Sequence, residues 1–301
     1  MSTDTIVIFN ADDFGLAPEV NSAIAQLCQA GLVRSASLLV TGPAAGEAVA
    51  LAKSLPELSV GLHLALVHER PAADPAQVPA LLDQEGRLLL GHRQFMARLM
   101  TGRLPLEQVR REAEAQVQRM LSAGLHPTHL DSHQHLHLWP PLLSMCLDLC
   151  RELNIRWIRL PGMEALEAGE VRVGPLRRSL MKAIIGRARS RKSDLSRLCR
   201  TDGVWGMLAA GHLSEALLLD IVGRLGPGVH EIMCHPATQP CDQYTRHHWG
   251  YEWQAEFAAL QSPLVADLLK ARGLVTSSFR EAGNCVREGV AEIGTSAARA
   301  G

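Results

Sequence analysis

The stretch Pro127-Thr-His-Leu-Asp-Ser-His-Gln-His-Leu-His-Leu-Trp-Pro140 decides how the chain is read. His129, Asp131, His133, His135 and His137 occupy its odd-numbered positions. In an extended strand successive side chains alternate between faces, so these five would share one side. Five groups able to bind a metal or move a proton would then converge. Folding gains nothing from such a cluster, because buried polar groups cost free energy unless paired. A helix-like segment precedes the stretch and Pro140-Pro141 ends it, the pattern of a strand running into a helix.

Upstream the pattern repeats. Thr5 to Asn10 is a short β-branched, apolar run that reads as a buried strand and ends in Ala11-Asp12-Asp13-Phe14-Gly15. Two adjacent carboxylates there are costly unless they bind something, although a capping turn would also use such residues. A helix spans Pro18 to Ala30 and stops at Gly31. Ser35–Val40 is a second strand, followed by a helix of small residues ending at Lys53. Leu58–Leu66 is a third strand, in which His63 is the one ionisable group. In a β-α-β-α-β series the strand ends collect on one face, where sites form, so His63 reads as a ligand. Residues 67–91, rich in Pro, Ala and Asp, read as a long loop over that site. Helices are expected over His92–Met100 and Pro105–Ala123.

Downstream, a helix spans Pro140–Asn154 and a strand Ile155–Leu160, which ends in Arg159-Leu160-Pro161-Gly162. A basic helical insertion covers 163–200. Its part from 175 onward carries nine Arg or Lys residues against Asp194 alone, with Leu176, Leu180 and Ile184 every four residues and Met181 and Ile185 beside them. That is a basic amphipathic pattern, suited to a solvated outer helix or to an anionic membrane surface or substrate. Leu213–Arg224 is helical, and Val229–Cys234 is a strand ending in His235-Pro236. A loop with Tyr244, Arg246, His247, His248 and Trp249 follows. Helices at Glu252–Leu260 and Pro263–Arg272, a strand at Leu274–Ser278 and a tail at 283–301 complete the chain.

Composition narrows the classes. The 301 residues are 47% apolar, enough for one large core. Net charge is −1 and aromatics are 4%, which gives no footprint for nucleic acid. Seven cysteines without a Cys-x-x-Cys pair suit reduced thiols in a cytoplasmic protein. Neither a signal-peptide pattern nor an apolar run of about 18 residues is visible.

Alternating strands and helices imply a parallel sheet with helices outside, here a single-domain α/β fold of the distorted (β/α) TIM-barrel type. Asp12, Asp13, His63, His133 and His235 fall at or near strand ends, where barrel enzymes hold their chemistry. One carboxylate with two imidazoles leaves metal positions open for water and substrate. A second carboxylate beside the ligand can take the water's proton, and a histidine opposite can protonate a leaving amine. The chemistry is that of a metal-dependent hydrolase of an amide or ester. A phosphoesterase competes, but no Gly-rich phosphate cradle is visible. A non-catalytic binder would not need the paired aspartates.

Asn10-Ala11-Asp12-Asp13-Phe14-Gly15, Gly61-Leu62-His63-Leu64, Thr128 to His135 and Glu231-Ile232-Met233-Cys234-His235-Pro236 resemble the YdjC-like carbohydrate deacetylases, the ChbG/HpnK family. The resemblance covers roughly residues 5–280. It implies removal of acetyl groups from N-acetylated amino sugars with one divalent metal ion, Mg²⁺ or Zn²⁺. Its ligands would be His63 and His133 with Asp13, while Asp12 would be the base and His235 the acid, with the two aspartates open to exchange. Asp131, His135 and Arg159 are expected at the substrate. Within the family, Thr41-Gly42-Pro43-Ala44-Ala45, Arg159-Leu160-Pro161, the basic segment before Thr201-Asp202, and Glu252–Leu260 with Ser262-Pro263 resemble the hopanoid-associated members. These imply an N-acetylglucosaminyl lipid, with peripheral contact at the inner membrane surface through 175–200. A soluble chito-oligosaccharide is the alternative substrate, and a homodimer is left open.

Overall fold

The computed structural model describes residues 5–162, 175–190, 198–241 and 249–283. Strand β1 (Thr5–Phe14) lies at its centre and is buried from Val7 onward. A strand buried on both faces needs an apolar run, and Ile6 to Phe9 supply it. The strand outlasts the expected Asn10 because Asn10, Asp12 and Asp13 all find polar partners inside the fold.

Helix α1 (Pro18–Gln29) returns the chain, with Pro18 at its first turn and Val20, Ile24 and Leu27 turned inward. Then follow β2 (Val33–Leu38), α2 (Ala45–Ser54), β3 (Ser59–Leu64), α3 (His92–Met100), α4 (Leu106–Ser122), β4 (His129–Ser132), α5 (Pro140–Glu152) and β5 (Trp157–Ile158). Beyond them lie α6 (Pro175–Arg189), β6 (Gly203–Trp205), α7 (Glu215–Arg224), β7 (Gly228–Cys234), α8 (Trp253–Leu260), α9 (Pro263–Ala271) and β8 (Val275–Thr276). All the sheet pairs are parallel, in the order β5-β4-β3-β2-β1-β7-β6, with β8 also against β1. A parallel bridge between Trp157 and Cys199 joins the two sides of the curled sheet, giving the distorted (β/α) barrel. β1 and β7 stay in register for seven residues, from Thr5↔Gly228 to Ala11↔Cys234. That pairing sets Asp12 and His235 at neighbouring strand ends.

Several expectations are corrected. The histidine-rich strand stops at Ser132, because Gln134 and His135 adopt left-handed backbone (φ 56 and 54) inside a 3-10 turn. The alternation therefore does not carry His135 and His137 onto the face of His129 and Asp131. β5 and β8 hold two residues each, shorter than expected, and β6 is a strand the sequence reading lacked. Residues 67–91 form a packed loop. Glu112 accepts the amides of Ala72 and Ala73, Gln108 accepts that of Ala80, and Arg98 donates to the Ala80 and Leu82 carbonyls. Of the basic insertion, 163–174 and 191–197 lie outside the described residues, as do the side chains of Leu176, Arg177 and Arg189. Tyr244, Arg246, His247, His248 and the tail from 284 also lie outside them.

Gly61 is obligatory for the interior. A Cβ there would stand 2.4 Å from the His129 ring, which occupies the space between β3 and β4.

Candidate active site

Three strands supply buried carboxylates to one guanidinium. Arg159, just past β5, donates from Nη1 and Nη2 to the two oxygens of Asp12, each at 2.7 Å. Its Nη2 lies 2.8 Å from Asp131 Oδ2, and its Nε donates to Glu231 Oε1 at 2.8 Å. Asn10 donates to Asp12 Oδ1 (2.9 Å) and Ser37 Oγ (2.8 Å), and Ser37 donates to Asp131 Oδ2 (2.7 Å). A bidentate guanidinium fixes the plane of the carboxylate it holds. Burial disfavours the charge on Arg159, yet Asp12, Asp131 and Glu231 outweigh it and keep its pKa well above the usual value. Asp131 is opposed by burial but held well below the carboxylate range by Arg159 and His63. For Glu231 burial wins over Arg159 and pushes the acid up to about 7. Asp131 and Arg159 are buried and do not line the cavity; they bond instead to His63 and Asp12.

Asp13 explains how adjacent aspartates serve one site. Strand alternation would send them to opposite faces. Asp13 adopts φ 61, a left-handed conformation that costs a non-glycine residue roughly 1–2 kcal/mol. The twist brings Asp13 Oδ1 to 2.9 Å from His133 Nδ1 and 3.3 Å from His63 Nε2. Burial would raise the Asp13 pKa, but His133 and His63 hold it well below the usual range. His63 Nδ1 lies 2.8 Å from Asp131 Oδ1, the carboxylate support that orients ligand imidazoles. Burial opposes charge on His63, yet Asp131 and Asp13 push it up to about 10.

The donor set fits a divalent cation. Ligand atoms of Asp13, His63 and His133 lie within 4.8 Å of one another, and His133 Nε2 is buried without a hydrogen-bond partner. Asp12, His63 and Asp131 form a second such group. Its two carboxylates already hold Arg159, which would repel a cation there. Asp12, Asp131 and Glu231 share the guanidinium of Arg159, whereas among the described residues the Asp13 carboxylate meets only the imidazoles of His63 and His133.

His235 follows β7. Its Nε2 stands 3.9 Å from Asp12 Oδ2 and its Nδ1 3.9 Å from Glu256 Oε2. Asp12, Asp13, His63, His133 and His235 form the floor of a cavity of about 750 Å³. Trp249 and Tyr251 line one side, 5.3 Å apart, with Tyr251 edge-on to His235 at 5.1 Å. Leu138, Leu180, Met181, Ile184 and Ile185 form an aliphatic wall, four of them from α6. His135 lines the cavity from its kink, and burial lowers its pKa well below the usual value. No residue of the 67–91 loop lines the cavity.

The other two histidines are structural. His129 is bonded to Ser37 and Thr128 at 3.0 Å each and packs on Phe279. His137 is bonded to Ser132 (2.6 Å) and the Arg159 carbonyl (2.8 Å). Burial pushes both down to about 4. Sequence reasoning missed His68, whose ring stands 5.4 Å from that of His133, and Glu256, Glu231 and Ser37. His68, after β3, carried the same strand-end signal as His63.

A family model described as YdjC-like protein matches residues 6–271. A carbohydrate deacetylase of Geobacillus stearothermophilus is 32% identical over 275 residues, covering 91% of this chain and 96% of its own length. A chitooligosaccharide deacetylase of Serratia marcescens is 28% identical over 282 residues, covering 92% and 99%. Among solved structures, a candidate cellobiose-phosphate cleavage protein of Enterococcus faecalis superposes with a TM-score of 0.74 at 25% identity, covering 92% of this chain and 98% of that one.

Proposed function

Since the chain belongs to the YdjC-like protein family, we propose that it is a carbohydrate deacetylase that hydrolyses the N-acetyl amide of an amino sugar with one divalent metal ion. The observation that carries this reading is the Asp12-Asp13 pair. Both carboxylates line the cavity, one with two imidazoles and the other with a guanidinium.

Asp13, His63 and His133 would hold the metal, which when bound polarises the acetyl carbonyl and acidifies a water. Asp12, fixed in plane by Arg159 and Asn10, takes the proton of the attacking water. His235 gives its Nε2 proton to the departing amine nitrogen. The 3.9 Å between Asp12 Oδ2 and His235 Nε2 lets the proton return afterwards. Asp131 keeps His63 oriented, and the shared Arg159 ties that support to the base.

The aliphatic wall favours a sugar carried on an apolar group, and the N-acetylglucosaminyl hopanoid implied by the resemblance is such a molecule. Leu180 is 51% exposed at the rim, and Arg178, Lys182 and Arg187 are exposed on the same helix. A basic, apolar-edged helix suits the surface of an anionic membrane. No helix among the described residues is long and apolar enough to cross one. The second reading, a chito-oligosaccharide, draws on Trp249 and Tyr251 as a platform for sugar rings and on the activity named for the Serratia marcescens relative.

Acetate release tests both. The metal-loaded protein is given N-acetylglucosaminyl hopanoid in detergent and, separately, a chito-oligosaccharide. Hopanoid alone supports the lipid reading, and oligosaccharide alone supports the soluble one. Chelation should abolish either activity and added divalent metal restore it. Acetate from neither substrate in the metal-loaded protein would sink the deacetylase reading.

A further inference from the structure

Glu256 is a buried acid that the mechanism above leaves unused. It sits on α8 at 1% exposure and has no Lys or Arg partner among the described residues. Its Oε1 accepts the Leu213 amide at 3.0 Å, and its Oε2 accepts the His235 amide at 2.5 Å. The same Oε2 stands 3.9 Å from His235 Nδ1, which is buried without a hydrogen-bond partner. The imidazole thus lies between two carboxylates, with Asp12 from β1 on its Nε2 side and Glu256 from α8 on its Nδ1 side. Asp13, His63 and His133 line the same cavity floor, and Tyr251 meets the ring edge-on. His212, paired with Glu252 at 3.6 Å, faces Glu256 from outside. Asp12 shares its charge with Arg159, whereas the charge of Glu256 is directed to His235 and two amides.

We propose that Glu256 is the positioning residue of the acid step. It anchors the His235 backbone and accepts a hydrogen bond from Nδ1–H, which places the transferable proton on Nε2, facing Asp12 and the cavity. This rests on His235 being the acid. In the step the amide C–N bond breaks and its electron pair stays on nitrogen, which takes the Nε2 proton. The amine leaves, and His235 regains a proton from Asp12, which had taken it from water. Carboxylate–imidazole pairing of this kind fixes tautomer and raises the basicity of the far nitrogen.

The test compares Glu256→Gln, Glu256→Asp and His235→Ala on two substrates. One is an N-acetylglucosamine oligosaccharide; the other is 4-nitrophenyl acetate, whose leaving group departs without a proton. The expected result for Glu256→Gln is a fall of about 100-fold in kcat on the amide at unchanged KM. The alkaline limb of its kcat profile should move down by about one pH unit, and the aryl ester rate should stay within about threefold. Glu256→Asp should recover part of the amide rate. An equal loss on both substrates, or an unmoved alkaline limb, would reduce Glu256 to a backbone anchor and overturn the proposal. His235→Ala separates the two ideas. If it keeps its amide rate, the acid assignment itself fails; if it loses that rate while Glu256→Gln does not, only the role of Glu256 fails. Metal content and a thermal melt of each variant confirm that the folded, loaded proteins are compared.

Discussion

The floor and the aliphatic wall of one cavity are built by opposite means. The floor consists of carboxylates and imidazoles less than about 6% exposed, set by strand ends and cross-linked through Arg159, Asn10 and Ser37. The wall is mostly one face of α6, where Met181 and Ile184 are half-buried and Leu180 is largely open to solvent. Floor groups depend on direction, because a hydrogen bond weakens steeply with angle. Wall groups depend only on area removed from water. Chemistry and choice of substrate therefore rest on separate elements and should respond to mutation separately.

The sharpest test of that separation is Asp12→Asn, which keeps volume and removes the proposed base. It should lower kcat by about 10³-fold on every N-acetylated sugar while metal, measured by elemental analysis, stays bound. Near-normal turnover would break the division at once. Arg159→Met comes next. It leaves Asp12, Asp131 and Glu231 buried without their cation, and unfolding in urea should show a loss of about 3–5 kcal/mol. Leu180→Ser on the wall should stay within about 0.5 kcal/mol.

Acid stability tests the floor from beneath. His129 and His137 are held down to about 4, whereas the unfolded chain titrates near 6.5. Between those values the unfolded state binds the extra proton, so stability falls as pH falls. Each histidine should contribute a slope of about 1.4 kcal/mol per pH unit, read from urea midpoints across pH 6.5 to 4. His137→Gln should remove one share of it. The smallest effect belongs to the wall. Ile184→Asp should raise KM for a lipid-linked sugar about tenfold and leave kcat on a soluble oligosaccharide unchanged. Equal damage to both substrates would mean that the wall also shapes the chemistry.

The sequence disclosed the floor better than the wall. Asp12, Asp13, His63, His133 and His235 were legible because ionisable residues at the ends of apolar runs have no other cheap place to be. The kink at Gln134 and His135 was hidden, since neither is a glycine or proline and nothing local marks a left-handed pair. β6 was hidden because three residues give no period to detect. The apolar stripe of α6 was visible, but periodicity shows that a face exists and not what it meets, here the cavity. Glu256 escaped notice because its partners are backbone amides, 21 and 43 residues away, which every residue possesses.

The place of β1 has a consequence for how the chain is made. Its ten residues are made well before β7 and β8, two of the three strands they pair with. The end of β7 follows that of β1 by about 220 residues, and at cellular rates of translation the interval is roughly 10 to 45 s. For that time an apolar segment destined for the middle of the sheet has β2 on one edge and nothing on the other. Over that interval a holding chaperone would find an apolar segment to bind, because the sheet cannot close around β1 until β7 has been made.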